Sequence, residues 1–482
     1  MVKKTVFLCG VFFFAFFVVG HAETLSSHKR VEAAFHLHST YSFLGEVSIE
    51  EIATLAAQRG MDAVFFTDDA LVKIAYGVSP FRNLFRITFE RNSVQRLGLR
   101  RYLEEIAKAQ KKVPSVFLFP GMEVSAFHYW QGFPPRGATV RDWNKHMIVF
   151  GFRKEDDFRH LPILGNGLAF YRPFDLRDLW RLWGIVPVAL GLLMIRASFP
   201  SWRKGGFALI VIGLLGLLDQ FPFRSPLADP YSGKPAVQPY QAVIDYTNAH
   251  GGSVFWAHPE AKLIPHLSGP VSLLTDPYPE MLLRTHDYTG FSVFYEGWNI
   301  LAQPGGPWDQ VLLEYCRGIR RKPAWAIGEL DFQKEGRADV WIGNVKTVLF
   351  VEEKTPSAML EAIRLGRMYA VRRSPEAELW LDHFEAIDSE GNPIAEMGRE
   401  GLVSTPVRLH LRISRSDGKE GTIRYRLVRN GEVIKEGNGT LPFEEILEEE
   451  IPIGPKSYYR MMVEGDRGNF LVTNPIFVTG KR

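Results

Sequence analysis

From Val31 to about Ala370 the chain alternates short apolar runs with stretches of helical period. The runs at 33–36, 63–67, 115–119, 146–150, 253–257, 291–295 and 324–327 read as buried strands. Segment 48–59 is periodic and opens on a good N-cap, Ser48, while 239–250 reads as a helix stopped by Gly251-Gly252. Buried strands alternating with helices predict a parallel α/β sheet or barrel. After about Pro375 the character changes. Segments 377–382, 407–413, 422–429, 433–436 and 458–464 read as short strands, separated by turns such as Arg429-Asn430-Gly431-Glu432 and Ser416-Asp417-Gly418. That pattern predicts a small β-sandwich over 376–482. There is no fixed-period repeat.

Other apolar stretches are too long for strands. Met1-Val2-Lys3-Lys4 precedes an apolar run to Gly20 and a small-residue site ending at Ala22. Residues 1–22 therefore read as a secretory signal peptide or, if uncleaved, an N-terminal anchor. Stretch 179–223 holds apolar runs at 182–195 and 207–218 around a basic connector with Arg196, Arg203 and Lys204. Each run is short for a span, but Trp180, Trp183 and Phe221 extend them through the interfaces. A transmembrane helical hairpin is predicted, with its connector inside and Asp219 outside; a buried hairpin in a soluble protein is the competing reading. Arg172, Arg177 and Arg181, on the outer side, weaken the charge contrast. Two spans return the chain to the side it left. Segments 31–178 and 236–372 can then form one domain at the membrane, on its periplasmic or extracellular side.

Composition changes this picture little. A chain of 482 residues has room for two or three domains, and a net charge of +3 with no long basic run gives no signal for nucleic acid. Cys9 and Cys316 lie far apart, which excludes a disulfide framework and a cysteine-rich zinc site. Arg82, Arg86, Arg91, Arg96, Arg100 and Arg101 read as a solvated helical face rather than a grip on phosphate or lipid headgroups.

The candidate chemistry gathers at strand ends, where α/β barrels place their active sites. In His36-Leu37-His38 an extended backbone would put both imidazoles on one face, within reach of one metal. Thr67-Asp68-Asp69, Gly121-Met122-Glu123, His146, Ala257-His258-Pro259 and Gly328-Glu329-Leu330-Asp331 follow on later strands. Their recurrence along successive strands points to a metal site. Glu296, at another strand end, is a candidate to line the pocket.

At these residues the chain resembles the PHP (polymerase and histidinol phosphatase) superfamily. His36-Leu37-His38-Ser39-Thr40-Tyr41-Ser42 reproduces its opening H-x-H-[ST]-x-x-S, and Arg59-Gly60-Met61-Asp62-Ala63 its R-G-[ML]-D-A. Family-like segments continue through Pro120-Gly121-Met122-Glu123, His146, Ala257-His258-Pro259, Asp331 and Gly366-Arg367-Met368-Tyr369-Ala370. The resemblance implies a distorted seven-stranded (β/α) barrel, interrupted by the hairpin, with a metal centre. It implies that His36, His38, Glu123 and Asp331 hold one metal, and that Glu123 bridges to a second held by His146 and His258. Asp68 is implied as a ligand or as an acceptor behind the ligands. Three positions depart from the family pattern: Phe43 follows Ser42 where S-D-G is usual, Asp69 replaces a histidine, and Gln333 replaces another. In the resemblance these three supply a third metal. Two divalent ions (zinc, manganese or iron) are therefore expected, with Asp69 a substitute ligand.

Two such ions activate a water and clamp the oxygens of a displacement at phosphorus. Asp331 and Asp68 are candidates to orient that water, and Glu123 to bridge. The expected function is a metal-dependent phosphoesterase acting on a small-molecule or headgroup phosphate mono- or diester. Hydrolysis of a non-phosphate bond, or a non-catalytic metal-stabilised binding module at the membrane, are the alternatives. The sequence is silent on oligomeric state.

Overall fold

The computed structural model describes residues 28–133, 137–167, 169–196, 200–262, 266–268, 271–294 and 296–481. The expected leader, 1–22, lies outside the described residues. Ten strands frame the α/β part: β1 (Lys29–Leu37), β2 (Ala63–Phe66), β3 (Phe117–Phe119), β4 (Gly121–Ser125), β5 (His146–Phe150), β6 (Ser253–Trp256), β7 (Gly290–Phe294), β8 (Trp325–Gly328), β9 (Val345–Val351) and β10 (Met368–Arg372). Every strand expected between Val31 and Ala370 is present within a few residues.

They divide between two sheets. One runs β10-β9-β1-β2-β3, the other β8-β7-β6-β5-β4. Isolated bridges at Leu37–Phe332 and Asp69–Glu123 join residues of the one to residues beside the other. The sheets are mixed, not parallel throughout. β1, β2 and β3 are parallel, as are β6, β7 and β8, but β5 is antiparallel to both β4 and β6, and β9 to both β1 and β10. The physical reason lies in the connections. A parallel neighbour needs a long crossover, usually a helix. Between β4 and β5 the chain makes only the antiparallel excursion Tyr129–Gly132 and Ala138–Arg141, so it returns alongside itself.

Local sequence accounts for the pieces. Ser48 Oγ accepts from the Glu51 amide at 3.3 Å and Glu51 Oε2 accepts from the Ser48 amide at 3.1 Å, a reciprocal cap that starts helix Ile49–Gln58. Ile52, Ala53 and Ala56 then face the core. Phe35, Phe65 and Phe119 lie in register across β1, β2 and β3 and stack at 4.2 and 4.4 Å between ring centroids. That aromatic ladder fixes the strand register beneath the site.

Between β5 and β6 stand two helices, Leu176–Ile195 and Pro200–Gln220, both long and apolar enough to cross a membrane. They pack through glycine. A methyl group on Gly206 would lie 2.6 Å from the Gly191 carbonyl oxygen, and one on Gly213 2.5 Å from that of Gly184. Outward, Val186, Leu193, Phe207 and Leu218 are exposed. The arginine-rich segment is not one helical face. Lys73–Gly77 pairs with Arg86–Glu90 in a β-hairpin, and the helix Leu99–Lys112 carries only Arg100 and Arg101. Arg86-Ile87-Thr88-Phe89-Glu90 alternates polar and apolar, the period of a strand.

The C-terminal region is rich in strands, among them Leu379–Ile387, Val407–Arg415, Gly421–Arg429, Glu432–Leu441, Phe443–Glu449 and Lys456–Gly465. Its own core includes Leu411, Leu427 and Tyr459 together with Phe350 and Tyr369 from β9 and β10. Hydrogen bonds and an ion pair join it to the α/β part. The strand Phe470–Thr473 (β11) pairs antiparallel with β10, Tyr369 facing Thr473 and Arg372 facing Phe470. Asn474, fully buried, accepts from the Ala326 amide at 2.8 Å and donates to the Ala326 and Met368 carbonyls at 3.1 and 2.9 Å. Arg460, also buried, makes a two-pronged ion pair with Asp309 at 2.6 and 2.7 Å.

Candidate metal centre

The side chains singled out from sequence converge where the two sheets meet. Glu123, in β4, is the hub. Its Oε1 lies 3.0 Å from His36 Nε2, 2.7 Å from His146 Nδ1 and 3.2 Å from His258 Nε2. Beside it, His38 Nε2 is 3.1 Å from His36 Nε2, 3.3 Å from Asp331 Oδ1 and 3.6 Å from Glu123 Oε2. Three ligand trios result: His36/Glu123/His258, His36/His38/Asp331 and His38/Asp69/Glu123. Nitrogen and carboxylate donors in such trios suit zinc, manganese or iron. His146 Nδ1 is buried and makes no hydrogen bond despite its short distance to Glu123, an orphan that a shared cation would satisfy.

The backbone reaches this arrangement by departing from regular strand. His36, His258 and Asp331 all have positive φ, at 65°, 28° and 48°. For residues with a Cβ that conformation is unfavourable and gathers at functional sites. The expected extended His36-Leu37-His38 is therefore replaced by a bulge, with the β1–β2 register shifting between Phe35 and Leu37. The two imidazoles still meet, because the bulge turns His36 inward rather than because residues i and i+2 share a face. His146 opens β5, as the run 146–150 implied, where the other candidate residues follow or end their strands. β5 runs against its neighbours, so its first residue lies at the rim where β6 ends.

Two carboxylates stand behind the ligands. Glu329, wholly buried, accepts from His36 Nδ1 at 2.8 Å and from the His258 amide at 2.6 Å. Holding the Nδ1 proton leaves His36 Nε2 as the donor atom. Sequence reading passed over Glu329, although its spacing from Asp331 in Gly328-Glu329-Leu330-Asp331 was visible. Asp68 is turned away from the trios. It accepts from the Ser39 amide at 2.6 Å, from Ser39 Oγ at 2.9 Å and from Ser42 Oγ at 2.7 Å. Ser42 Oγ, its proton given to Asp68, is left to accept from His38 Nδ1 at 2.8 Å, which frees His38 Nε2 in the same way. Asp69 Oδ2 accepts from the Phe43 amide at 3.0 Å. Gln333 Nε2 lies 3.5 Å from Asp331 Oδ1. Glu296 is close enough to His258 for their charges to couple.

Electrostatics at the centre are those of a site built for positive charge. Burial disfavours charged imidazoles, yet Glu329 and Glu123 hold His36 well above the usual histidine range. Burial likewise opposes charge on His38, but Asp331 and Glu123 push it up to about 9. Against their own burial, Glu123 is held well below the carboxylate range by His146 and His36, and Asp331 is lowered by His38 and His36. Asp68 is pushed up to about 6 by burial, although His38 and its serine donors pull it down.

A family model for the PHP domain matches residues 34–161. The chain carries a PHP domain. The matched span includes His36, His38, Asp68, Asp69, Glu123 and His146, while His258, Glu329 and Asp331 lie beyond it. Among solved structures, this chain is similar to a two-domain protein of Bacteroides vulgatus containing a PHP-like metal-dependent phosphoesterase assigned by prediction. Identity is 12%, with 91% of this chain and 92% of that chain covered and a TM-score of 0.38. It is also similar to a Bifidobacterium adolescentis protein whose description as a metal-dependent phosphoesterase is likewise provisional. There identity is 14%, coverage 63% of this chain and 88% of that one, and the TM-score 0.28. No curated protein matches. A further trio, His383/Glu385/His410, lies in the C-terminal region.

Proposed function

We propose that the chain is a membrane-tethered, two-metal phosphoesterase that hydrolyses a phosphate mono- or diester outside the cytoplasm. The observation that carries this reading is the convergence on one buried carboxylate, Glu123, of imidazoles from three separate segments, with His38 and Asp331 alongside. His36, His38 and Asp331 would hold one ion and His146 and His258 the other, with Glu123 shared between them and Asp69 a further ligand on the His38 side. Such ions lower the pKa of a water and offset charge on phosphate oxygens. The protein's own part is placement. Glu329 and the Asp68–Ser42 pair fix the imidazole tautomers, and Asp331 orients the incoming water. In this reading segments 31–178 and 236–372 form one distorted barrel, and 376–482 a β-sandwich fused to it. The helices within 179–223 are the membrane hairpin, since they pack on each other through glycine and leave large apolar side chains exposed.

The test is metal content and turnover of bis(4-nitrophenyl) phosphate by the detergent-solubilised protein, beside His258→Ala. His410→Ala is carried in both, so that the C-terminal trio adds nothing to the count. Two ions per chain, with turnover reduced at least about 100-fold in the His258→Ala variant, is the expected result. Fewer than one ion and no turnover after zinc or manganese is supplied would overturn the proposal in favour of a binding module. Two ions with turnover only on an amide substrate would overturn the phosphoester assignment.

A further inference from the structure

Where the apolar helices meet the PHP domain, a cavity of about 820 Å³ opens, and none of the candidate metal ligands lines it. Its walls include the start of the first apolar helix (Trp180, Arg181), the end of the second (Asp219, Phe221), the β-hairpin of Lys73–Gly77 and Arg86–Glu90, and the segments 164–171 and 222–231. The contact between these elements is specific. Asp219 Oδ1 accepts from the Asn83 and Leu84 amides at 2.8 and 3.2 Å, while Asn83 Nδ2 donates to the Asp219 carbonyl at 2.7 Å. The hairpin turn is thus locked to the end of the second helix.

The lining is cationic and short of anions. Lys73, Arg82, Arg86, Arg181 and Arg224 line it, against Asp219 and Asp229. Asp219 is used up by the hairpin amides and by Gln220, and Asp229 accepts from the Tyr231 amide at 2.9 Å. Among the described residues Lys73, Arg82, Arg86 and Arg224 form no ion pair. Arg82 lies over the Tyr231 ring at 4.2 Å, which holds its guanidinium in place without neutralising it. His128, pushed down to about 3 by burial, contributes no charge. Arg181 has Asp178 at 3.9 Å, but Arg82, Arg86 and Arg224 have no carboxylate partner among the described residues and call for a bound anion, and guanidinium groups suit phosphate oxygens.

The surroundings say which kind of anion. Trp180 and Phe221 stand exposed beside the cavity, and the apolar flanks of both helices run away from it. On the hairpin, Phe85 and Ile87 are exposed at 54% and 78%. Aromatic and basic residues side by side at the end of apolar helices mark the level of lipid headgroups. We propose that this cavity binds the phosphate headgroup of an anionic amphiphile, whose hydrocarbon chains lie along the helix pair, with Phe85 and Ile87 entering the lipid surface beside it. The proposal rests on the membrane reading of the two helices and not on the metal centre.

The experiment is native mass spectrometry of the full chain in a neutral detergent, titrated with phosphatidylglycerol and with phosphatidylcholine of the same acyl chains. Arg82→Gln/Arg86→Gln and, separately, Arg224→Gln are compared, each with its thermal unfolding midpoint as a check on folding. Expected is one tightly retained phosphatidylglycerol, with apparent affinity falling about tenfold or more in the double variant and little retention of phosphatidylcholine. Equal retention of the two lipids, or phosphatidylglycerol binding unchanged in both variants, would overturn the proposal. Competition by millimolar inorganic phosphate, with no preference for the lipid, would reassign the cavity to a soluble phosphate. Retention of the chain in alkaline-washed membranes is scored separately, so that failure of the membrane reading is distinguishable from failure of the headgroup site.

Discussion

Glu329 illustrates how much of the centre depends on groups that touch no substrate. Both of its oxygens accept, one from His36 Nδ1 and the other from the His258 amide. A glutamine there must aim its NH2 at one of two donors. Glu329→Gln is therefore expected to weaken metal binding or turnover about 10–100-fold, read from metal titration and from kcat. The candidate ligands were legible in sequence because most stand at the end of a short apolar run or just after it, as His36 and Asp331 do, although Glu123 proves to lie in the middle of β4. Glu329 was not, since a lone glutamate near a strand end carries no mark of what it faces. For Asp68 the sequence left two orientations open, ligand or acceptor behind the ligands, and its hydrogen bonds are those of the second. Whether a carboxylate points at a metal or at Ser39 and Ser42 is decided by a loop whose bend no local pattern encodes.

At the scale of elements, the two apolar helices make the sharpest statement. Gly184, Gly191, Gly206 and Gly213 let the backbones approach until carbonyl oxygens sit where a methyl group would go. Gly206→Leu and Gly213→Leu are each expected to force the pair apart, at a cost of about 1–3 kcal/mol or more, seen as a lower midpoint on heating in detergent. An unchanged midpoint would mean that the helices do not depend on this contact. Both helices could be read from composition. The β-hairpin beside them could not be read past its charges: six arginines drew attention to a helical face, while the two-residue alternation at 86–90 carried the true period. Antiparallel β5 was hidden for another reason. A strand's direction is set by the length and shape of its connections, and the excursion through 129–141 was not recognised as strands.

For the whole molecule, the boundary near Pro375 marks a change of composition more than a joint. Asp309, on the helix Pro307–Cys316, holds Arg460 of the C-terminal region in a fully buried pair and also accepts from Tyr458. Asp309→Ala leaves that guanidinium buried without a partner. Destabilisation by about 3–5 kcal/mol is expected, measured as a shift in the urea midpoint, with both regions still unfolding in one transition. Two separated transitions in the unaltered protein would show instead that the C-terminal region is an independent module.

The pairing of β10 with β11 also has a consequence in time. These neighbours in the sheet are separated by roughly a hundred residues of chain, which a ribosome takes about 5–20 s to add. Throughout that interval β10 offers a bare row of backbone amides and carbonyls to any other nascent strand. The sheet that supports His36 is sealed only once residues 470–474 have been made. A chain cut short at that point loses no mere appendage; it is left with a sticky edge, and clumping rather than simple inactivity is the fate its geometry prepares.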